Sequence, residues 1–282
     1  MFVLFTVKFA IADPGASVDP LAQFKQSQKE GWANFAPLEA LTTPTAARLV
    51  RFANIQSGQR CLDVGCGTGV VAITAARLRA RVSALDLTPE LLARARENAA
   101  IAGVKVDWQE GDAEQLSFAD AEFDVVVSQF AHIFAPRSGV VTAEMLRVLK
   151  PGGTIAFSTW PPEQLVGRTM ALAARFMPPP PPGVEPPTLW GTPEVVRQRL
   201  GSAVKDITFE TDSMRVPALS PQHHRVNVER TAGPMIKLIQ QLSATNPQGL
   251  EAFRQDYDKI VAEYLHDNVV QQEYLLTRAV KR

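Results

Sequence analysis

Apolar positions along the chain alternate between two spacings. From Trp32 to Ala53, Leu38, Leu41, Ala46, Leu49, Val50 and Ala53 recur near a 3.6-residue period, and Pro37 and Pro44 divide the stretch into two predicted short helices. Gln59 to Val64 reads as a short buried strand stopped by Gly65, and Val70 to Leu78 as an alanine-rich helix. Arg81 to Leu87 is a second strand. Thr88 then caps a helix whose first position is Pro89; it runs through Ala100 and closes at Gly103. Lys105 to Glu110 and Phe123 to Ser128 are the third and fourth strands. Val140 to Leu149 is a helix ended by Pro151-Gly152-Gly153, and Thr154 to Thr159 is a fifth strand. This alternation predicts an α/β fold: a parallel sheet with helices on both faces.

Beyond Trp160 the pattern changes. Residues 164–177 are predicted helical, and Pro178 to Pro182 form a proline run that favours extended polyproline II, predicting a stiff loop beside the mouth of a site. Thr192-Pro193-Glu194 repeats the cap-then-proline signal and opens a helix to about Leu200. Lys205 to Val216 reads as strand or hairpin, Pro221 to about Val269 as mainly helical, and Glu273 to Val280 as a final strand. There is no internal repeat. The expected organisation is a flexible arm over residues 1–20, a core with N-terminal helices over 21–160, and lid or cap helices over 161–282 that complete the same sheet.

Composition narrows the function classes. Lys plus Arg and Asp plus Glu each number 29, so the formal net charge is zero, and no basic run exceeds a pair. A chain that neutralises nucleic-acid phosphates shows a basic surplus, so no nucleic-acid partner is expected. Cys61 and Cys66 are too few for a disulfide framework or a zinc site and suit a reducing cytoplasm. Met1 to Ala12 is mostly apolar and ends in a cleavage-like Ala10-Ile11-Ala12, but it lacks a basic leader, is broken by Lys8 and is too short to span a bilayer. It is expected to be an arm, with no membrane partner. The oligomeric state is open.

The chemistry concentrates where the first strand ends. Residues 61–69 read C-L-D-V-G-C-G-T-G. A ligand lying across that strand end leaves no room for side chains at Gly65 and Gly67, and the following helix start presents free N–H groups to an anion. Dinucleotide dehydrogenases use G-x-G-x-x-G, with two residues between the second and third glycines; here the place of the third is Val70. Asp63, just before the turn, suits a ligand ammonium. Asp86, at the end of the second strand, can accept from two ribose hydroxyls, and Asp112, after the third, from an adenine amine.

Taken together, L-D-V-G-C-G-T-G at 62–69, A-L-D-L-T-P at 84–89, E-G-D-A-E-Q-L-S-F at 110–118, F-D-V-V-V-S-Q-F-A-H-I-F at 123–134 and L-R-V-L-K-P-G-G at 146–153 resemble class I S-adenosylmethionine (SAM)-dependent methyltransferases. The closest likeness is to small-molecule enzymes of the ubiquinone/menaquinone-biosynthesis type. The resemblance covers residues 30–160 and is loose beyond. It implies a Rossmann-like, seven-stranded sheet whose last strand is antiparallel, with Glu273 to Val280 as that strand. It implies SAM as cofactor, with Gly65, Gly67 and Gly69 against its amino acid and ribose and Asp63 at the methionyl ammonium. Asp86 would hold the ribose, Leu87 would lie on the adenine, and Asp112 with Ala113 would read its edge. Ser128 and Gln129 would border the methionyl group and the methyl.

The implied reaction is an in-line methyl transfer to a small, partly apolar molecule, with alignment and exclusion of water as the main protein contributions. Trp32 is an aromatic candidate beside the cofactor, and Phe134, Trp160 and Trp190 beside the substrate, though each also suits a core. His132 is the candidate general base; His223 and His224 read as a solvated helix start. The Asn/Asp-Pro-Pro-Tyr/Phe signature of many nucleic-acid and protein-amide N-methyltransferases is replaced by Ser128-Gln129-Phe130-Ala131, and no acidic cluster predicts a metal. A SAM-binding protein with a non-methylating or regulatory role is the main rival, and an NAD(P)-dependent oxidoreductase a remote one.

Overall fold

A computed structural model describes residues 19–282; the apolar segment at Met1 to Ala12 lies outside the described residues. The helices and strands follow in the order α1 (Pro20–Trp32), α2 (Glu39–Phe52), β1 (Arg60–Val64), α3 (Val70–Arg77), β2 (Arg81–Asp86), α4 (Pro89–Ala102), β3 (Asp107–Glu110), β4 (Phe123–Gln129), α5 (Ser138–Val148) and β5 (Leu149–Thr159). The second half adds α6 (Leu165–Ala174), α7 (Pro193–Leu200), β6 (Val204–Pro217), α8 (Pro221–Thr231), α9 (Gly233–Thr245), α10 (Pro247–Ala262), β7 (Leu265–His266) and β8 (Val269–Lys281).

The sheet order is β3-β2-β1-β4-β5-β8-β6, with β7 paired to β8. β1 to β5 pair in parallel, whereas β8 runs antiparallel to both β5 and β6. The fold is the expected Rossmann-like sheet with one small addition. Asp267 and Asn268, at φ 50° and 59°, form the two-residue turn of a β7–β8 hairpin and add an eighth strand. Central strands are buried on both faces, so they read as near-continuous apolar runs: Cys61, Leu62 and Val64 on β1 and Val125 to Val127 on β4 are all inaccessible. Strand order reverses between β1 and β4, which leaves a crevice at their C-terminal ends where ligands of open α/β sheets bind.

Two expectations about the first helices are corrected. α2 continues through Pro44 rather than breaking there. The proline removes one N–H early in the helix, and the Thr42 and Thr43 hydroxyls donate to the Glu39 carbonyl at 3.1 and 2.7 Å. Helical structure, expected from Trp32 onward, begins earlier: residues 20–32 form a full helix that buries only Gly31. Its polar composition hides it from periodicity, but Asp19, which accepts from the Leu21 N–H, and Pro20 carry the same cap-then-proline signal as Thr88-Pro89. Among the described residues no helix is long and apolar enough to cross a membrane.

Candidate active site

The crevice opens into one cavity of 710 Å³, the size range of sites that enclose a small molecule. Its floor is the loops leaving β1, β2, β3 and β4; its roof is drawn from α1, α2, α6, α8 and the far ends of β6 and β8.

The three glycines of the first turn do three different jobs. Gly65 and Gly67 take positive φ of 68° and 54°. The N–H groups of Gly65 and Cys66 both donate to the Leu85 carbonyl at 2.9 Å, which ties the turn to β2. A Cβ on Gly65 would overlap that of Ala131, so this glycine lets two loops touch. A Cβ on Gly67 would meet no protein atom within 4 Å and would project into open space at the cavity. Gly69 does not line the cavity; it starts α3 at φ 84° and leaves room for the Trp108 ring, 2.7 Å from where a Cβ would stand. The space left at this glycine is taken by Trp108 of β3 and Ala95 of α4.

Three carboxylates reach the cavity from successive strand ends. Asp63 is 1% exposed; one oxygen accepts from the Ala72 N–H at 3.0 Å, and Oδ1 has no partner. Burial pushes its carboxyl up to about 7, helped by repulsion from Asp86 and opposed by the Ala72 N–H. Asp86 accepts from the N–H groups of Gly67 and Thr88 at 2.8 and 2.9 Å, and burial raises its carboxyl as well. It therefore holds the glycine turn in shape as well as facing the cavity. Asp112 accepts from the Glu114 N–H and pairs with Lys25 at 2.5 Å. Lys25 also pairs with the fully buried Glu114, which Arg137 neutralises from the other side. Nothing in the sequence near Asp112 signals Lys25; it arrives from α1. Leu87 and Ala113 line the cavity beside these acids.

Gln129 ends β4 on the cavity wall, its amide N–H groups donating to the Thr42 carbonyl and the Thr45 hydroxyl at 3.0 and 2.8 Å, with Oε1 unpartnered. Asp63 pairs with Val127, two positions before Gln129, so the two side chains leave the same face of neighbouring strands. Ser128 points the other way, contrary to expectation. It is inaccessible, donates to the Val64 carbonyl at 2.8 Å and accepts from the His132 N–H; it ties β4 to the end of β1 and to the turn at His132, and does not line the cavity.

Aromatic groups form much of the wall. Trp32 packs against Phe35 and Phe134, with ring centroids 5.6 and 4.9 Å apart, and anchors its indole N–H on Gln28. Trp160 stacks on Phe130 at 4.0 Å. Phe130 is a residue that sequence reasoning passed over; it holds φ +56°, a costly backbone for a bulky side chain, which aims its ring between Trp160 and Tyr274. Trp190, expected at the substrate, lies outside the cavity. It is 2% exposed, with Arg199 over one face and His132 at its edge. Of the large apolar residues of the second half, Met170 and Met214 line the cavity, whereas Phe176, Met177, Leu189, Met235 and Phe253 do not. No residue of the proline run lines it either.

His132 touches the cavity, but its ring is enclosed between Phe157 and Trp190, 4.6 and 4.7 Å away, and neither ring nitrogen has a partner. Burial, with Arg199 nearby, pushes the imidazole down to about 3. A proton taken there would be a buried charge with no counter-ion, which disfavours the expected role as base. His132→Leu, which removes two unpartnered ring nitrogens from an apolar enclosure, is expected to leave Tm unchanged or slightly raised and turnover per folded molecule within about threefold, as checked by melting curves and active-fraction kinetics. His224, expected to be solvated, is instead 2% exposed on the cavity wall. Among the described residues no group of three or more His, Cys, Asp or Glu could hold a metal ion.

The family model for a methyltransferase domain matches residues 61–153, from β1 into β5. An uncharacterized protein of Mycobacterium tuberculosis is 35% identical over 259 residues, covering 90% of this chain and 94% of that one. The ubiquinone/menaquinone biosynthesis C-methyltransferase UbiE of Rubrivivax gelatinosus is 43% identical over 117 residues, 40% of this chain and 45% of that one. Among solved structures, the YcgJ protein of Bacillus subtilis shares the fold with a TM-score of 0.58 at 19% identity, over 84% of this chain and 97% of that one. With the domain match running from the strand that leads into the glycine turn through the parallel strands of this sheet order, this chain belongs to the class I SAM-dependent methyltransferases.

Proposed function

We propose that the protein methylates a small, partly apolar molecule by in-line transfer, with SAM held by the residues of 21–160 and the acceptor covered by those of 161–282. The observation that carries this reading is the pair of unpartnered acceptors, Asp63 Oδ1 and Gln129 Oε1, on one wall of the cavity. Buried acceptors left without donors are costly, so they mark where a ligand donor belongs, and a methionyl ammonium supplies N–H groups to both. The cradle beside them fits the rest of the group. Gly67 leaves the turn open, Asp86 keeps lone pairs for ribose hydroxyls, and Leu87, Ala113 and Asp112 line the stretch of cavity assigned to adenine.

When bound, SAM supplies a methyl carbon made electrophilic by its sulfonium. The chain's own residues bind and align: Asp63 and Gln129 fix the amino-acid end, Asp86 the ribose, and Trp32, Phe130 and Trp160 wall off water. Aromatic faces near a sulfonium favour its positive charge over the neutral product. Two free, buried cysteines suit a cytoplasmic setting.

Calorimetry with S-adenosylhomocysteine on the folded protein tests the reading, followed by labelled-SAM turnover on a panel of small acceptors. Asp86→Ala is expected to weaken S-adenosylhomocysteine by about 2 kcal/mol, roughly thirtyfold, and to lower Tm because two backbone N–H groups lose their acceptor. If wild-type protein gives no binding heat with either form of the cofactor, the reading fails. Binding with no turnover on any acceptor would favour a regulatory role.

A further inference from the structure

The roof of the cavity carries a second polar centre remote from the glycine turn. His224 of α8, Tyr257 of α10 and Gln272 of β8 all line the cavity and are 2%, 2% and 8% exposed. Their positions follow from strand register. Leu275 of β8 pairs with Thr159, the last residue of β5, so Gln272 lies three residues beyond the end of β5, about 10 Å out over the crevice. It pairs with Met214, which also faces the cavity.

Gln272 Nε2 lies 3.1 Å from His224 Nε2, and Tyr257 O–H lies 3.5 Å from His224 Nδ1, beyond good hydrogen-bond length. A neutral imidazole with one nitrogen accepting from Gln272 leaves its other N–H facing Tyr257 loosely. Burial does hold the imidazole neutral, pushing it down to about 4. The phenol hydroxyl and the Gln272 carbonyl have no other side-chain partner among the described residues. Such a buried, underused donor–acceptor set suits a ligand group that completes it.

Charge sharpens the class. The carboxylates and ammonium that line the cavity, Asp63, Asp86, Asp112 and Lys25, all stand at the cofactor end. Near His224, Arg225, Asp258, Glu229 and Arg254 pair among themselves and do not line the cavity. A carboxylate, phosphate or ammonium on the acceptor would find no counter-charge under the roof, and burying it unpaired is expensive.

We propose that His224, Tyr257 and Gln272 form the acceptor-recognition subsite, and that it takes an uncharged, mainly apolar acceptor through one hydroxyl, which donates to or accepts from this cluster. This rests on the methyltransferase reading above and specifies its acceptor. The aromatic walls favour a ring next to that hydroxyl.

The test uses the full chain saturated with S-adenosylhomocysteine and four matched probes in calorimetry at pH 7.5: 4-tert-butylphenol, its methyl ether, 4-tert-butylbenzoate and 4-tert-butylbenzylammonium. The phenol is expected to bind about tenfold tighter than the ether, as one hydrogen bond provides, and both charged probes more weakly still. His224→Leu should bring the phenol to the level of the ether while S-adenosylhomocysteine affinity stays within about twofold. Tyr257→Phe, which removes a single oxygen, gives a smaller loss of the same kind and keeps the test sound if His224→Leu does not fold. Equal binding of phenol and ether, tightest binding of either charged probe, or no binding of the phenol overturns the proposal. If the wild type fails to bind S-adenosylhomocysteine, the cofactor reading falls instead, and the same probes on the free protein still decide the subsite.

Discussion

Gly67→Val is expected to abolish measurable S-adenosylhomocysteine binding, a loss beyond about a hundredfold, in a protein that still folds. No protein atom lies within 4 Å of a Cβ at this position, so the new side chain occupies only the space claimed for the ligand. The stability cost comes from φ +54°, about 2 kcal/mol for a β-branched residue and hence several degrees in Tm. Gly58 separates strain from exclusion. It holds φ +84° with nothing within 4 Å and lies outside the cavity, so Gly58→Val should lower Tm similarly and leave binding unchanged. Gly65→Ala should behave differently again. Its Cβ would collide with Ala131 at φ +68°, adding overpacking to strain, so about 3–4 kcal/mol of stability should go. Melting curves beside calorimetry on the three variants would separate these effects. Retained affinity in Gly67→Val would remove the ligand from this turn.

Affinity for S-adenosylhomocysteine should rise with pH, by up to tenfold per unit below pH 7, and level off above it. In the free protein burial holds the Asp63 carboxyl near 7, so at pH 5–6 most molecules carry the neutral acid. An ammonium beside Oδ1 favours the carboxylate, so binding below pH 7 releases a proton, and the deprotonated fraction limits the affinity. Stability of the free protein should move the opposite way. Because the carboxyl sits above its ordinary 3.8, the folded state binds more protons than the unfolded chain between about pH 4 and 7, and stability falls as pH rises through that window. Asp63→Asn keeps an acceptor for the Ala72 N–H while removing the titration, so it should flatten the binding profile and lower affinity most at pH 8. A residual stability slope is expected from Asp86, whose carboxyl is raised in the same direction. An unchanged binding profile in Asp63→Asn would take Asp63 out of contact with the ligand.

The parts legible in the sequence are those that local spacing encodes. β1, the glycine turn and α3 are contiguous, so an apolar run, alternate glycines and an alanine-rich helix start specify them without outside help. The strand-end positions of Asp63, Asp86 and Asp112 follow for the same reason. Local reading fails where a residue's role depends on a partner far along the chain. Ser128 and Gln129 are neighbours in sequence, yet strand alternation sends one into a bond with the end of β1 and the other to the cavity. His132 seemed well placed by its distance from β4, but Trp190, from the second half, closes over it.

The amino-acid sequence determined the layered α/β fold, the succession of its strands along the chain and the glycine turn after the first of them, because backbone propensity and hydrophobic period act over a few residues. Tertiary structure alone decided what surrounds that turn. α1 brings Lys25 to Asp112 across the crevice, and α8, α10 and the overhanging end of β8 gather His224, Tyr257 and Gln272 into one roof. These meetings arise from strand register and helix packing between distant segments, for which a linear pattern of apolar and polar positions carries no signal.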